Sequence, residues 1–377
     1  MQNNYRLLKF FAINKLLLIV VVISVNLFMG CLDVMEVTVL PQKKNQSINN
    51  YFVYYGSFHN HSNISDGTGT PEEAYLYAQN DADLDFFGLS DHDRNYNDSS
   101  WDLVKQAADQ YNSDGVFATF WGFEWSNDSM GHVTVVNSDT FCMSIQPETA
   151  NFRQLDLWID RRNCFAILNH PGRQDGYGVE FDHFKNLISE KIVGMELWNK
   201  SDGFSDYYYN DGYDSNDNGK GFYDEALTHH LKIGAAGGFD NHSATWGTSA
   251  DFRTAILATS LTREHLFSAM KARRFYSTLD KNIALSFTIK EQEMGSTISP
   301  GTTTLHIRAS DGDNEAFSEV ILFDRNHTVR RIWQPGRVTV DISDTLHNDN
   351  GDYYYVKVRQ IDGDEAISSP IWVSNGQ

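Results

Sequence analysis

Positive charge is scarce in this chain of 377 residues: 30 Lys and Arg stand against 50 Asp and Glu, for a formal net charge of −20 and a pI near 4.9. With no cationic surplus to neutralise a phosphate backbone, long nucleic acid is a poor candidate for the main partner. Small anions stay open, because metal ions or a few arginines reverse the sign locally. Long apolar runs are also missing. The one extended stretch, Leu16 to Phe28, falls short of the roughly 20 residues that a spanning helix needs, which argues against a polytopic membrane protein. With 7 prolines and with 41% hydrophobic and 13% aromatic residues, the composition is neither collagen-like nor disordered. It is that of a globular chain with room for two domains.

Arg6, Lys9 and Lys15 precede the apolar run, and Met29-Gly30-Cys31 closes it, the pattern of a targeting segment. Residues 1–30 resemble a bacterial lipoprotein signal. That implies a lipid anchor at Cys31, a polar tether over 31–50, and a body facing the periplasm or the cell surface. The alternative is an uncleaved signal anchor; both carry the rest of the chain out of the cytoplasm. Cys142 and Cys164 then lie where a disulfide is permitted. They read as unpaired, since a bridge requires the chain between them to fold back.

From Tyr51 the sequence repeats short apolar runs that end in polar or Gly-rich residues. The runs are Phe52 to His59, Asp85 to Asp91, Val116 to Glu124, His132 to Asn137, Cys164 to His170, Ile192 to Trp198 and Ile233 to Asp240. Seven such strands fit a closed, mostly parallel α/β barrel over residues 51–281. Thr70-Pro71-Glu72-Glu73 reads as a capped helix start, and Thr262 as the cap of a helix through Arg273. Beyond, in 282–377, Leu305, Ile307 and Ala309 and then Val338, Val340 and Ile342 alternate with polar residues. That period predicts half-buried strands and an immunoglobulin-like β-sandwich.

The histidines and acids fall at particular places in this rhythm. His59 and His61 are two apart, so in an extended chain both point the same way and can share one ion. Ser65-Asp66-Gly67 follows, the second run closes on Asp91-His92-Asp93, and the third closes on Glu124, eight residues before His132. The fifth ends in His170-Pro171 and the seventh in Asp240-Asn241-His242. Parallel barrels gather the carboxyl ends of their strands on one functional rim. His59, His61, His92, Glu124, His170 and Asp240 lie at or just beyond such ends. His132 does not; it stands at a strand start, so a loop would have to return it to the rim.

This series resembles that of the polymerase and histidinol phosphatase (PHP) superfamily of metallohydrolases. The β-rich end, with Ser369-Pro370-Ile371-Trp372-Val373, is similar to its carbaryl-hydrolase and microcin-processing branch. The resemblance implies a distorted seven-stranded (β/α)7 PHP barrel and two or three divalent ions, zinc, manganese or iron, held by nine ligands. His59, His61, Glu124 and Asp240 would hold one ion, and Glu124 would bridge to a second on His132 and His170. Asp66, His92 and His242 would take the third, which is more oxygen-rich because Asp66 stands where some members have histidine.

The chemistry that follows is hydrolysis by a metal-bridging hydroxide, since ions acidify bound water to a pKa of roughly 7. Three carboxylates among six imidazoles leave excess positive charge, which suits a small anionic phosphoester, for example a phosphorylated glycan or lipid headgroup. Arg173 is placed either to clamp a phosphoryl oxygen or to form a salt bridge. Asp91 and Asp93 flank His92 as acceptors for ligand imidazoles or as proton carriers, and Asn199 is a substrate contact or a turn residue. The same site could instead attack the carbonyl carbon of a carbamate, amide or ester. A third reading is a non-catalytic glycan-binding lipoprotein, with Trp121, Trp125, Trp198 and Trp246 stacking on sugars. Finally, Asp214, Asn216 and Asn218, followed by Glu225, match the spacing of a calcium loop, with a solvated insertion as the alternative.

Overall fold

The computed structural model describes residues 46–185, 187–199 and 221–375. The expected signal segment, Cys31 and the tether up to residue 45 fall outside these, as do Asp214, Asn216 and Asn218. After a short β1 (Ser47–Ile48), every one of the seven apolar runs yields a strand: β2 (Tyr51–Ser57), β3 (Phe86–Leu89), β4 (Ala118–Asn127), β5 (Gly131–Val136), β6 (Phe165–Asn169), β7 (Ile192–Asn199) and β8 (Gly234–Gly238). Five α-helices occur among the described residues: α1 (Pro71–Asn80), α2 (Asp98–Tyr111), α3 (Phe152–Asp160), α4 (Phe222–Thr228) and α5 (Arg263–Lys271). The cap read at Thr70 forms. Its hydroxyl accepts from the Glu73 N–H, and the Glu73 carboxylate accepts from the Thr70 N–H, which satisfies two otherwise orphan donors.

The expected closed (β/α)7 barrel does not form. The described chain is mostly β, and its main sheet is a curled half-barrel. β2, β3 and β4 run parallel, but β5 is antiparallel to both β4 and β6, and parallel pairing resumes only through β7 and β8. The reason lies in the connection. Residues 128–130 alone join β4 to β5, whereas a parallel crossover needs a dozen or more residues. A hairpin is the only outcome. On the other side, β9 (Arg253–Ala258) lies antiparallel beside β2, and β10 (Phe275–Thr278) beside β9.

The C-terminal strands are β11 (Ala284–Ile289), β12 (Gln292–Glu293), β13 (Thr297–Ile298), β14 (Gly301–Ser310), β15 (Phe317–Asp324), β16 (Thr328–Trp333), β17 (Thr339–Asn348), β18 (Tyr353–Gln360), β19 (Glu365–Ser368) and β20 (Ile371–Val373). They do not close as a separate immunoglobulin-like sandwich. β11, β12, β14 and β17 make a four-stranded sheet, while the others extend the main sheet, because β19 pairs with β10 on one edge and β18 on the other. Phe287, Leu305, Val320 and Val356 share one buried core with Val53 and Tyr55 of β2 and Leu257 of β9. Inside the curl of the half-barrel, Phe58 packs on Phe86, Phe120 and Phe165 at ring separations of 4.9 to 5.2 Å. This apolar floor carries His59, the next residue. Cys142 and Cys164 are both buried and unbridged.

A core shared across residue 281 sets an expectation for unfolding. Phe287→Ala is expected to cost about 3–5 kcal/mol and to lower one cooperative transition in urea, seen alike by circular dichroism and tryptophan fluorescence. Separate transitions for 51–281 and 282–377 would contradict a shared core.

Candidate metal centre

Backbone pairing beyond the strand ends sets the side chains. The Asp240 N–H donates to His59 O, and the His61 N–H to Asn241 O, both at 3.0 Å, which aligns His59, His61 and Asp240 where β2 and β8 meet. The Glu124 N–H donates to Asp91 O at 2.9 Å and brings His92 beside Glu124. The hairpin resolves the position of His132. Because β5 runs backwards, its start lies on the same rim as the end of β4, with His132 opposite Ser126 and Asn169. No returning loop is needed.

All nine residues singled out in the sequence therefore meet in one cluster. Their ligand atoms fall into four groups, each within 4.8 Å: His61, Asp66, His92 and His242; His59, His61 and Asp240; His59, Glu124 and His170; His92, Glu124 and His132. Glu124 is the hub. Its Oε1 lies 3.0 Å from His59 Nε2, 3.1 Å from His132 Nδ1 and 3.4 Å from His170 Nε2, and its Oε2 lies 2.7 Å from His92 Nδ1. Asp240 Oδ1 is 3.3 Å from His59 Nε2 and 3.2 Å from His61 Nε2. The outer group is wetter: Asp66 is 59% exposed, and its Oδ1 lies 3.2 Å from His242 Nε2 and 3.5 Å from His92 Nε2. His170 and Asp240 adopt left-handed backbone, φ 28° and 49°, a conformation costly for residues other than glycine and tolerated where a site fixes it.

The donor set fits divalent cations. Imidazole and carboxylate without thiolate suits zinc, iron or manganese. Moreover, His170 Nε2 is buried with no well-aligned hydrogen bond, its partner Glu124 Oε1 lying 3.4 Å away, a state that a metal bond would satisfy. Burial opposes charge on His59, yet Glu196, Glu124 and Asp240 outweigh it and hold the imidazole well above its ordinary value. His92 is likewise pushed up to about 10, where Glu124 and Asp66 overcome burial. His242 is raised against burial by Asp66 and Asp240. His61 and His170 are lowered by burial. Burial would raise Glu124, but His132, His59 and His92 hold it well below the carboxylate range, and His242 and His92 do the same for Asp66.

The other residues read from the sequence are placed differently. Arg173 Nη1 lies 3.1 Å from Asp240 Oδ2, at the cluster but engaged with an acid. Asp91 is buried and accepts from the backbone and hydroxyls of Ser62 and Ser65, and Asp93 accepts from the Ser144 N–H. Both therefore order loops, where acceptors for ligand imidazoles or proton carriers were expected; His92 Nδ1 faces Glu124 and Ser126. Asn199 is buried and donates to Glu196. Glu225 sits in the first turn of α4 and pairs with His183 at 2.9 Å. Of the four tryptophans considered for stacking on glycans, Trp125, Trp198 and Trp246 are buried and Trp121 is half-buried. Sequence reasoning missed Glu196 and Asn169. Glu196 lies 2.8 Å from His59 Nδ1, and Asn169 Nδ2 donates to Glu124 Oε1 at 2.8 Å. The available signal was an acid inside an unbroken apolar strand, since carboxylates are almost never buried unless partnered.

Comparisons with known proteins are sparse in function. A family model described as a protein of unknown function (DUF3604) matches residues 80–158. An uncharacterized protein of Chlamydia pneumoniae is 26% identical over 360 residues, and one of Chlamydia muridarum is 20% identical over 354. Each alignment covers 85% of this chain and 57% of the relative, so the chain spans less than two thirds of the proteins it matches. A solved two-domain protein from Bacteroides vulgatus, described as containing a predicted PHP-like metal-dependent phosphoesterase, aligns over 87% of this chain and 99% of its own, at 16% identity and a TM-score of 0.49. PsfC from Pseudomonas syringae aligns over 54% of this chain and 82% of its own, at 14% identity and a TM-score of 0.36. Neither likeness is close enough to carry an assignment.

The charge pattern predicts a pH dependence. The raised imidazoles keep protons in the folded protein that the unfolded chain sheds above about 6.5. Metal-free protein is therefore expected to lose stability from about pH 6.5 towards about pH 10, as His92 deprotonates. Ions compete with those protons, so stabilisation by manganese is expected to grow across the same window. Thermal melts with chelator and with manganese check this, and a pH-independent difference would contradict it.

Proposed function

We propose that the protein is a metal-dependent hydrolase and, more narrowly, a phosphoesterase of the PHP type. The observation that carries this is the convergence of six imidazoles and three carboxylates in one cluster around Glu124, with His170 buried at its edge. His59, His61 and Asp240 would hold one ion, Glu124, His170 and His132 a second, and Asp66, His92 and His242 a third. When bound, divalent ions supply Lewis acidity and a nucleophile at neutral pH by acidifying water. The chain supplies the rest. Glu124 holds imidazoles from four segments in register, the aromatic floor under His59 shields one side from solvent, and Arg173 stands beside Asp240 to meet an anionic oxygen. Excess positive charge in an acidic protein favours a small phosphoester, including a phosphorylated glycan or lipid headgroup. The N-terminal lipoprotein-like segment supports action outside the cytoplasm, tethered at Cys31.

One observation favours hydrolysis of a carbamate, amide or neutral ester at the same site. The Arg173 guanidinium is already engaged by Asp240 Oδ2. The two readings separate on substrate charge. Protein loaded with manganese or zinc is expected to turn over nitrophenyl phosphate or its diester, and Glu124→Gln to lower that rate by more than the ~100-fold typical of losing an outer partner. Arg173→Ala should reduce phosphate ester hydrolysis more than that of a neutral ester. Turnover of an aryl carbamate with no activity on phosphate esters would transfer the assignment to the second reading.

A further inference from the structure

Glu196 lies within β7, where all eight residues are buried, and it is 1% exposed. Its two oxygens serve three partners. Oε1 is 2.8 Å from His59 Nδ1, while Oε2 accepts from the backbone N–H of His170 and from Asn199 Nδ2, each at 2.8 Å. With Nδ1 turned to Glu196, His59 directs Nε2 at Glu124, at Asp240 and at His61 Nε2, 3.4 Å away. The bond to His170 falls on the residue whose φ is 28°, so the same carboxylate fixes a strained turn and the ring it presents. The space for this carboxylate is made by β8. A Cβ at Gly238 would lie 1.6 Å from Glu196 Oε1, so even a methyl group there would displace the carboxylate.

We infer that Glu196 is a positioning residue that presets two ligands from different strands. It accepts the Nδ1 proton of His59, fixing the tautomer that offers Nε2 to an ion, and it anchors the backbone of His170. Partners of this kind orient a ligand imidazole and raise its basicity, and their loss typically weakens metal binding ~10–100-fold. The inference rests on the metal-dependent reading above. It predicts a selective effect, because His59 or His170 enters both buried groups but neither belongs to the outer group of His61, Asp66, His92 and His242.

The test is titration of chelator-treated full-length protein with cobalt(II), followed by visible absorption, for wild type, Glu196→Gln and Gly238→Ala. Gly238→Ala keeps the charge of Glu196 but displaces its carboxylate. Both variants should bind the inner ions ~10–100-fold more weakly, with an altered cobalt spectrum and with the affinity for the outer ion unchanged. Unchanged affinity in folded variants overturns the inference, as does equal weakening at every site, which would make Glu196 merely structural. Nitrogen NMR of zinc-loaded wild type needs no variant: the proton should reside on His59 Nδ1, and the opposite tautomer overturns the inference. Wild type that binds no cobalt would instead overturn the metal-dependent reading itself.

Discussion

Buried opposite charge is the constraint on which the rest of this structure depends. Glu124, Asp240 and Glu196 are almost fully buried, and removing an ionised carboxylate from water costs on the order of several kcal/mol even after relaxation. That cost is offset by the imidazoles around them, by donors such as Asn169, Arg173 and Asn199, and further by any cations they hold. Each of these side chains is delivered by a strand or by the turn that follows one, so the curl of the half-barrel and the convergence of the charges are two aspects of one requirement. The left-handed backbone at His170 and Asp240 marks where local geometry yields to it.

The same constraint separates structural from chemical roles among residues that look alike in sequence. Asp91, Asp93 and Asp240 are all buried acids near a histidine. Asp240 faces imidazole nitrogens, whereas Asp91 and Asp93 face backbone N–H groups and hydroxyls. Burial pushes Asp93 up to about 6. The cluster is also graded outward, from the closed surroundings of His59 and Glu124 to the half-open Asp66. Protein ligands there leave room for exchange with solvent and substrate.

Much of this was legible from the chain alone. All seven strands were readable because buried strands appear as short apolar runs, and six of the nine clustered side chains were readable because they recur at the polar ends of those runs. Strand direction was not. Hydrophobic period is the same for parallel and antiparallel strands, and the three residues between Asn127 and Gly131 carried the decisive information. The alternation beyond residue 282 correctly indicated strands, but nothing in a period of two says which edge they join. Ser368 pairing with Tyr276 is a contact over nearly a hundred residues. Glu196 was hidden because an acid in an apolar strand announces burial without naming its partners.

The central claim is that Glu124 is the shared centre of a multi-ion site. Anomalous X-ray diffraction from crystals of metal-loaded protein, collected on either side of the zinc or manganese absorption edge, tests it most directly. The account predicts at least two peaks, each within bonding distance of Glu124, one of them also bonded to His59 Nε2. Crystals soaked in either metal that show density for the nine side chains but no anomalous peak beside Glu124 would contradict it.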